Sequence, residues 1–292
     1  MFLKAILIIL LFSISVAKAQ DISYFENEKI QNEIKKLGYS QVEVNYQFKA
    51  ENQRIIDKGF KYKLTFNKKG KATTAEFIKQ DFYTQKIDTT THYKFYDKKD
   101  RLYINREKKS GQYIYKTEYF EYDSLDNLIK RSIAEETNQS DDALFFKIAK
   151  QKITFTEKFG YEYYSKLQFK RIYYNDIDQP YKYEVVSKNK NLTPLSEWSK
   201  YIITSLYANC DYKYDTNGLL IEKTFTGNAS GEYNETYIYK YKDGKIDSEI
   251  FKADGTQKYE KFYFYSAKGL LESTLQKYPD NSIDIVNFKY GF

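Results

Sequence analysis

The sequence predicts an all-β fold: an antiparallel meander of repeated β-hairpins, drawn out as an elongated sheet or repeat array, with one N-terminal α-helix. Three observations predict it. From residue 41 onward apolar and polar residues alternate with a period of two, the mark of half-buried strands. A tyrosine-led turn phrase recurs along the chain. The 292 residues hold only 3 prolines, the residue that interrupts a strand ladder.

The chain opens on an address. Residues 1–19 read as a secretory leader. Lys4 supplies the positive start, and the apolar run Ala5 to Ala17 is 13 residues long, short of the roughly 20 that a spanning helix needs. Ala17-Lys18-Ala19 fits the small-x-small rule and places cleavage between Ala19 and Gln20. No later segment is apolar enough to span as a helix, so no transmembrane helix is expected after cleavage. The formal charge is +7, and Lys4 and Lys18 leave with the leader. The remainder is mildly basic with interspersed charge, which does not point to nucleic acid. The single Cys210 excludes an internal disulfide and a cysteine-based zinc site. Richness in Lys, Ile, Asn, Tyr and Phe is what AT-rich coding produces and, with the leader, points to a bacterium.

A helix is predicted over 24–37, inside an N-terminal unit spanning 20–40. Ser23 and Glu26 have the spacing of a capping box. Ile30, Ile34 and Leu37 form one apolar stripe, and Gly38 stands where a left-handed C-cap is expected. The stripe is short and its polar face mixed in sign, which suits covering the end of a sheet better than binding a membrane.

Residues 41–292 form the predicted β-repeat domain. Val42, Val44, Tyr46 and Phe48 alternate with Glu43, Asn45 and Gln47; Phe60, Tyr62, Leu64 and Phe66 alternate with Lys61, Lys63 and Thr65. The turn phrase is an aromatic, then Asp or Asn, a short variable stretch, a Gly, Asp or Asn, and an aliphatic. It stands at Tyr96–Leu102, Tyr122–Leu128, Tyr214–Leu220, Tyr241–Ile246 and Tyr265–Leu271, with weaker copies at Phe66–Gly70 and Tyr174–Asp178. Tyr96 and Tyr122 lie 26 residues apart, and Tyr214, Tyr241 and Tyr265 are separated by 27 and 24. Asp or Asn caps a tight turn through its side chain, and Gly takes the positive φ it requires. Second turn signals, such as Ser110-Gly111 and Asp254-Gly255, fall between. Each period of about 25 residues is then two strands and two turns, giving a meander of about 14 strands. A half-sheet boundary is placed near 135–160, where Ser140–Lys150 fits a short helix or a strand equally. Leu192–Tyr207 is read as a strand in preference to a helix.

The phrase resembles the YD repeats of RHS-type bacterial surface and toxin-associated proteins, and the MORN-like repeats of antitoxin-type proteins. The resemblance covers residues 60–292. Tyr214–Leu220 carries the phrase in full; other copies lack the Gly or the Asp. It implies a β-repeat fold and carries over no catalytic residue.

Chemistry-bearing residues are sparse. The pairs Asp97/Asp100, Asp123/Asp126, Asp141/Asp142 and Asp176/Asp178 mostly sit in turn phrases, where Asp serves the backbone. His92, the only histidine, is expected on an exposed strand face, and Cys210 as a small half-buried thiol. No catalytic residue, metal site or cofactor is assigned. What stands out is aromatic: Tyr237, Tyr239 and Tyr241 share one strand face, and Tyr259, Tyr263 and Tyr265 oppose Phe262 and Phe264. Such tyrosines stabilise a thin sheet. As an exposed ladder, Tyr237, Tyr239 and Tyr263 would instead stack on a sugar or a protein partner. The expected function is that of an exported, non-enzymatic interaction scaffold, secreted, periplasmic or at the outer cell surface, with an unidentified protein or glycan of the cell envelope as partner. A small outer-membrane β-barrel is the alternative, suggested by the terminal alternation Val286-x-Phe288-x-Tyr290-x-Phe292. A glycan-acting enzyme is the third reading.

Overall fold

The computed structural model describes residues 24–292 except 82, 141 and 229–231. The leader, the Ala19–Gln20 junction and Ser23 lie outside the described residues. A 3₁₀ turn, Tyr24–Glu26, leads into helix α1, Glu28–Leu37. The strands follow: β1 (Gln41–Lys49), β2 (Ile56–Phe66), β3 (Ala72–Gln80), β4 (Ile87–Tyr96), β5 (Leu102–Lys109), β6 (Ile114–Tyr122), β7 (Leu128–Asn138), β8 (Ile148–Ser165) and β9 (Gln168–Tyr174). The second half comprises β10 (Pro180–Lys188), β11 (Pro194–Tyr201), β12 (Tyr207–Tyr214), β13 (Leu220–Gly227), β14 (Tyr233–Lys242), β15 (Lys245–Ala253), β16 (Thr256–Tyr265), β17 (Leu271–Lys277) and β18 (Ile283–Gly291).

Every strand pairs antiparallel with its chain neighbours, and β18 returns to β1 in unbroken register from Gln41↔Gly291 to Lys49↔Ile283. The meander therefore closes into an 18-stranded barrel. This corrects the elongated sheet or repeat array. An open ribbon would leave an aromatic face in water and two unpaired edges. Here Val286, Phe288 and Tyr290 meet Tyr46, Val44 and Val42 residue for residue, so closure buries the face and removes the edges together. The stretch 142–147 is neither helix nor strand. Pro194–Tyr201 is a strand. The long β8 changes partner at Lys158, pairing with β7 below it and with β9 above.

A barrel this wide leaves a lumen that its wall side chains do not fill. The N-terminal segment enters that space. The backbone N–H of Leu271, on β17, donates to the Tyr24 hydroxyl at 3.1 Å, while Lys94, on β4, pairs with Glu26 at 2.8 Å. These strands flank β1 on opposite sides, so one short segment can touch both only from the concave face. Phe25 packs 5.9 Å from the rings of Phe66 and Phe288. Ile34 is fully buried in a core with Val42, Val44 and Leu64. The helix is capped by Asn27, whose Oδ1 accepts from the Lys29 N–H at 2.9 Å, and it ends at Gly38 in the left-handed region as expected. The start differs from the predicted residue 24 because Tyr24 and Phe25 are docked into the wall as a 3₁₀ turn.

The turn phrases crown the rim beside α1. Asp215 Oδ1 accepts from the backbone N–H groups of Asn217 and Leu219 at 2.9 and 2.8 Å, with Gly218 at φ 80°. Asp97 and Asp123 do the same in their turns. A bulge precedes the leading tyrosine in each, as at Phe95/Tyr96, Lys213/Tyr214 and Lys240/Tyr241. The tyrosine hydroxyl then reaches back to the strand before. Tyr96 donates to the Ala72 carbonyl, Tyr122 to Leu102, Tyr214 to Pro194 and Tyr241 to Leu220, all at 2.8–2.9 Å. At Gly70 a Cβ would stand 2.1 Å from the Gln31 carbonyl oxygen, so only glycine lets the helix sit this close beneath the rim.

Candidate functional site in the lumen

Strand parity sorts the residues. The face carrying Val42, Val44 and Tyr46 is inward, and following the register around the ring puts Tyr237, Tyr239, Glu249, Lys261 and Tyr263 on the same face. The outer face carries cross-strand ion pairs: Lys213–Glu222 at 2.6 Å, Lys130–Glu121 at 2.7 Å, Lys170–Glu162 at 3.2 Å and Lys61–Glu43 at 3.7 Å. Ion pairs also lie on the inner face, Arg131–Glu118 at 2.5 Å and Arg171–Glu184 at 3.1 Å, and Phe262, Phe264 and Trp198 point outward; inward aromatic rings gather on the arc beside α1.

Between α1 and β14–β17 lies a cavity of about 670 Å³, lined on the helix side by Tyr24 and Ile30 and on the wall by Tyr239, Tyr263, Tyr265 and Ile246, with Glu249 and Lys261 between them. The volume is within the range of small-molecule sites. Tyr239 stands opposite Glu249, and Glu249 opposite Lys261. Glu249 is buried and accepts hydrogen bonds from the hydroxyls of Tyr259 at 2.9 Å and Tyr263 at 3.4 Å. Burial pushes the Tyr239 and Tyr259 hydroxyls up, and the Glu249 charge adds to it. Tyr265 is pushed up to about 12 by burial. These phenols stay protonated at neutral pH, and that of Tyr259 donates to Glu249. Lys245 and Lys268 lie in or beside the rim turns at the cavity mouth, each over an aromatic ring, Tyr265 at 5.2 Å and Tyr39 at 5.3 Å.

Of the residues singled out in the sequence, Tyr239 and Tyr263 meet in this cavity. Tyr237 lies one layer below, 9% exposed and 4.7 Å from the Phe251 ring. The three do not form an exposed ladder: a closed wall turns that face inward. Reading the sequence alone passes over Glu249 and Lys261. Their signal is parity, since each is a charged residue on the aromatic face, Glu249 beside Phe251 and Lys261 between Tyr259 and Tyr263. His92 faces inward and is half-buried, 3.9 Å from Glu107, and burial lowers its pKa. Cys210 is 5% exposed, more buried than expected, and burial pushes its thiol up. Asp97 and Asp123 are turn acceptors, and Asp178 pairs with Lys158 at 2.6 Å.

No family model and no curated protein matches this sequence. Among solved structures, a porin-like protein from Bacteroides uniformis ATCC 8492 aligns over 87% of this chain and 98% of its own, with 8% identity and a TM-score of 0.40. A LolA superfamily protein from Nitrosomonas europaea aligns over 86% and 84%, with 10% identity and a TM-score of 0.21. A DUF1329 family protein from Desulfovibrio piger ATCC 29098 aligns over 89% and 90%, with 8% identity and a TM-score of 0.16. At such scores the likeness is one of outline, and no functional statement follows from it.

Proposed function

We propose that this protein is an exported, non-enzymatic barrel of the cell envelope that holds a small molecule in its lumen. The observation that carries this reading is the cavity between α1 and the wall. Aromatic rings and phenolic hydroxyls from β14 and β16 surround it, with Ile30 of α1 opposite. Inward tyrosines favour a small molecule over the protein or glycan that an exposed ladder would take. The resemblance to YD-repeat surface proteins fits the same location, and the turn phrase serves here to build the rim.

A small outer-membrane barrel is the second reading. It is favoured by the closed meander of 18 strands, an even number as in membrane barrels. The outer wall favours the first reading: Lys61, Lys63 and Thr65 share β2's outer face, and a basic residue at the lipid midplane costs about 2–4 kcal/mol.

The test is expression of the full chain with its leader. Recovery in a detergent-free extract, a new N-terminus at Gln20, and stoichiometric binding of an apolar fluorescent dye are expected. Tyr239→Ala and Tyr263→Ala should weaken the dye about tenfold, whereas Tyr83→Ala, at a side chain 98% exposed, should not. Heat-modifiable migration from the membrane fraction would establish the second reading instead. Soluble protein that binds no dye would overturn the lumen as a site.

A further inference from the structure

The cavity beside α1 has a chemical polarity, and from it we infer that its ligand is an anionic amphiphile, held with its charged group at the rim between Lys245 and Lys268 and its apolar body between α1 and the tyrosines of β14 and β16. The inference rests on the lumen-binding reading and names its ligand class.

The cavity has apolar surface on two sides: Ile30 from the helix, and Ile246 with the rings of Tyr239 and Tyr263 from the wall. Its charged residues are unequal in sign and in commitment. Four lysines, Lys29, Lys245, Lys261 and Lys268, border it against two carboxylates, Glu33 and Glu249. Both carboxylates are engaged, Glu33 with Lys36 at 3.8 Å and Glu249 with two tyrosine hydroxyls. At the mouth, neither Lys245 nor Lys268 forms an ion pair with a carboxylate among the described residues. Lys245 Nζ instead lies across Gly269, 3.1 Å from where a Cβ would stand, and Lys268 donates to the Tyr39 hydroxyl at 3.0 Å. Two ammonium groups on aromatic faces beside an apolar slot complement a ligand that carries negative charge at one end. A cationic head would be repelled by these two lysines.

The test compares ligands that share one tail. Dodecanoate, dodecanol and dodecylammonium are titrated into the full-length exported protein by displacement of the apolar dye. Dodecanoate should bind about tenfold more tightly than dodecanol, with dodecylammonium weakest. Raising the salt concentration should narrow the gap between acid and alcohol. In the double variant Lys245→Met, Lys268→Met the acid-to-alcohol affinity ratio should fall to about one. The head-group order and its salt dependence are read on the unmutated protein, so they stand even if the variant does not fold. Equal binding of all three, or preference for the ammonium, overturns the anionic assignment and leaves the lumen site intact. Failure of every tail to bind brings down the lumen reading itself.

Discussion

Two arcs of this barrel bury their side chains on opposite faces. On the arc of β14–β18 and β1–β3 the buried face is the inner one, because the N-terminal segment and α1 lie against it there. Phe25 and Ile34 complete a core that the wall alone cannot close. On the arc of β5–β8 the most buried side chains point outward. Arg106 and Glu136 form an ion pair at 3.4 Å with side-chain exposures of 6% and 0%, and Thr117 donates to Glu136 at 2.6 Å. Tyr119 and Gln151 also donate to that carboxylate. The segment after β7 folds over them and sets the Phe146 ring 3.6 Å from the Arg106 guanidinium. The inner face of the same strands is wetter, with half-buried pairs such as Arg131–Glu118 at 2.5 Å. In a wide barrel, alternation therefore divides residues into two sets without deciding which set is dry. What lies against the wall decides it.

The largest expected effect acts on both arcs at once. Burial raises the phenols of Tyr119 and Tyr265 from the usual 10.0 to about 12, and others on both arcs shift in the same direction. A raised folded-state pKa contributes stability that is intact below pH 10 and is lost as the pH climbs through the folded value. The strand signal in circular dichroism should hold to about pH 10 and collapse as tyrosinate absorbance rises towards pH 12. Complete titration near pH 10 with the strand signal unchanged would contradict burial on either arc.

Next come substitutions that separate the arcs. Glu136→Ala leaves the buried Arg106 without its counter-charge and should cost about 3–5 kcal/mol in urea unfolding. Replacing both partners, Arg106→Met with Glu136→Leu, should recover most of that loss, since a buried pair often does no better than a packed apolar one. Ile34→Ala opens a cavity in the other core and should cost about 2–5 kcal/mol. The two losses should add, because the sites share no partner. Phe146→Ala uncovers Arg106 and should cost about 2 kcal/mol, the range of a desolvated cation–π contact. If Phe146→Ala costs nothing, the outer cluster is dry for another reason and the contrast between arcs fails.

Much of the wall was legible in the sequence because its signals are local. The period of two gave the strands, Gly38 gave the end of α1, and Tyr214–Leu220 and Tyr265–Leu271 each enclose the reversal of direction expected of them. Closure showed in the sequence only as the terminal alternation Val286-x-Phe288-x-Tyr290-x-Phe292, which suggested the barrel alternative; the pairing that achieves it, β1 with β18, spans the whole chain and leaves no local signal. Without closure Tyr237, Tyr239 and Tyr263 have no inside to face, so they read as a surface ladder. Glu249 and Lys261 went unnoticed for the same reason: a charge on an aromatic face gains meaning only once that face is known to be enclosed. The outer cluster was hidden further still, since Phe146 covers Arg106 from a stretch whose sequence fitted helix and strand alike.

The smallest effect tests the feature both arcs share. Tyr96, Tyr122, Tyr214 and Tyr241 each have the ring placed by a bulge and the hydroxyl bonded to the carbonyl that opens the preceding strand, so each ties its turn to its neighbour. Tyr122→Phe on one arc and Tyr241→Phe on the other remove only that hydrogen bond and should cost about 1 kcal/mol each. The recipient carbonyls, of Leu102 and Leu220, stand near the rim, where water can replace the lost donor, and this keeps the cost near the ordinary net value of a hydrogen bond rather than the larger penalty of a buried orphan. Equal losses would show that the latch belongs to the wall and is indifferent to what fills the lumen. A larger loss in Tyr241→Phe, whose ring also lines the cavity beside α1, would show that the plugged arc makes its rim more rigid than the bare wall can.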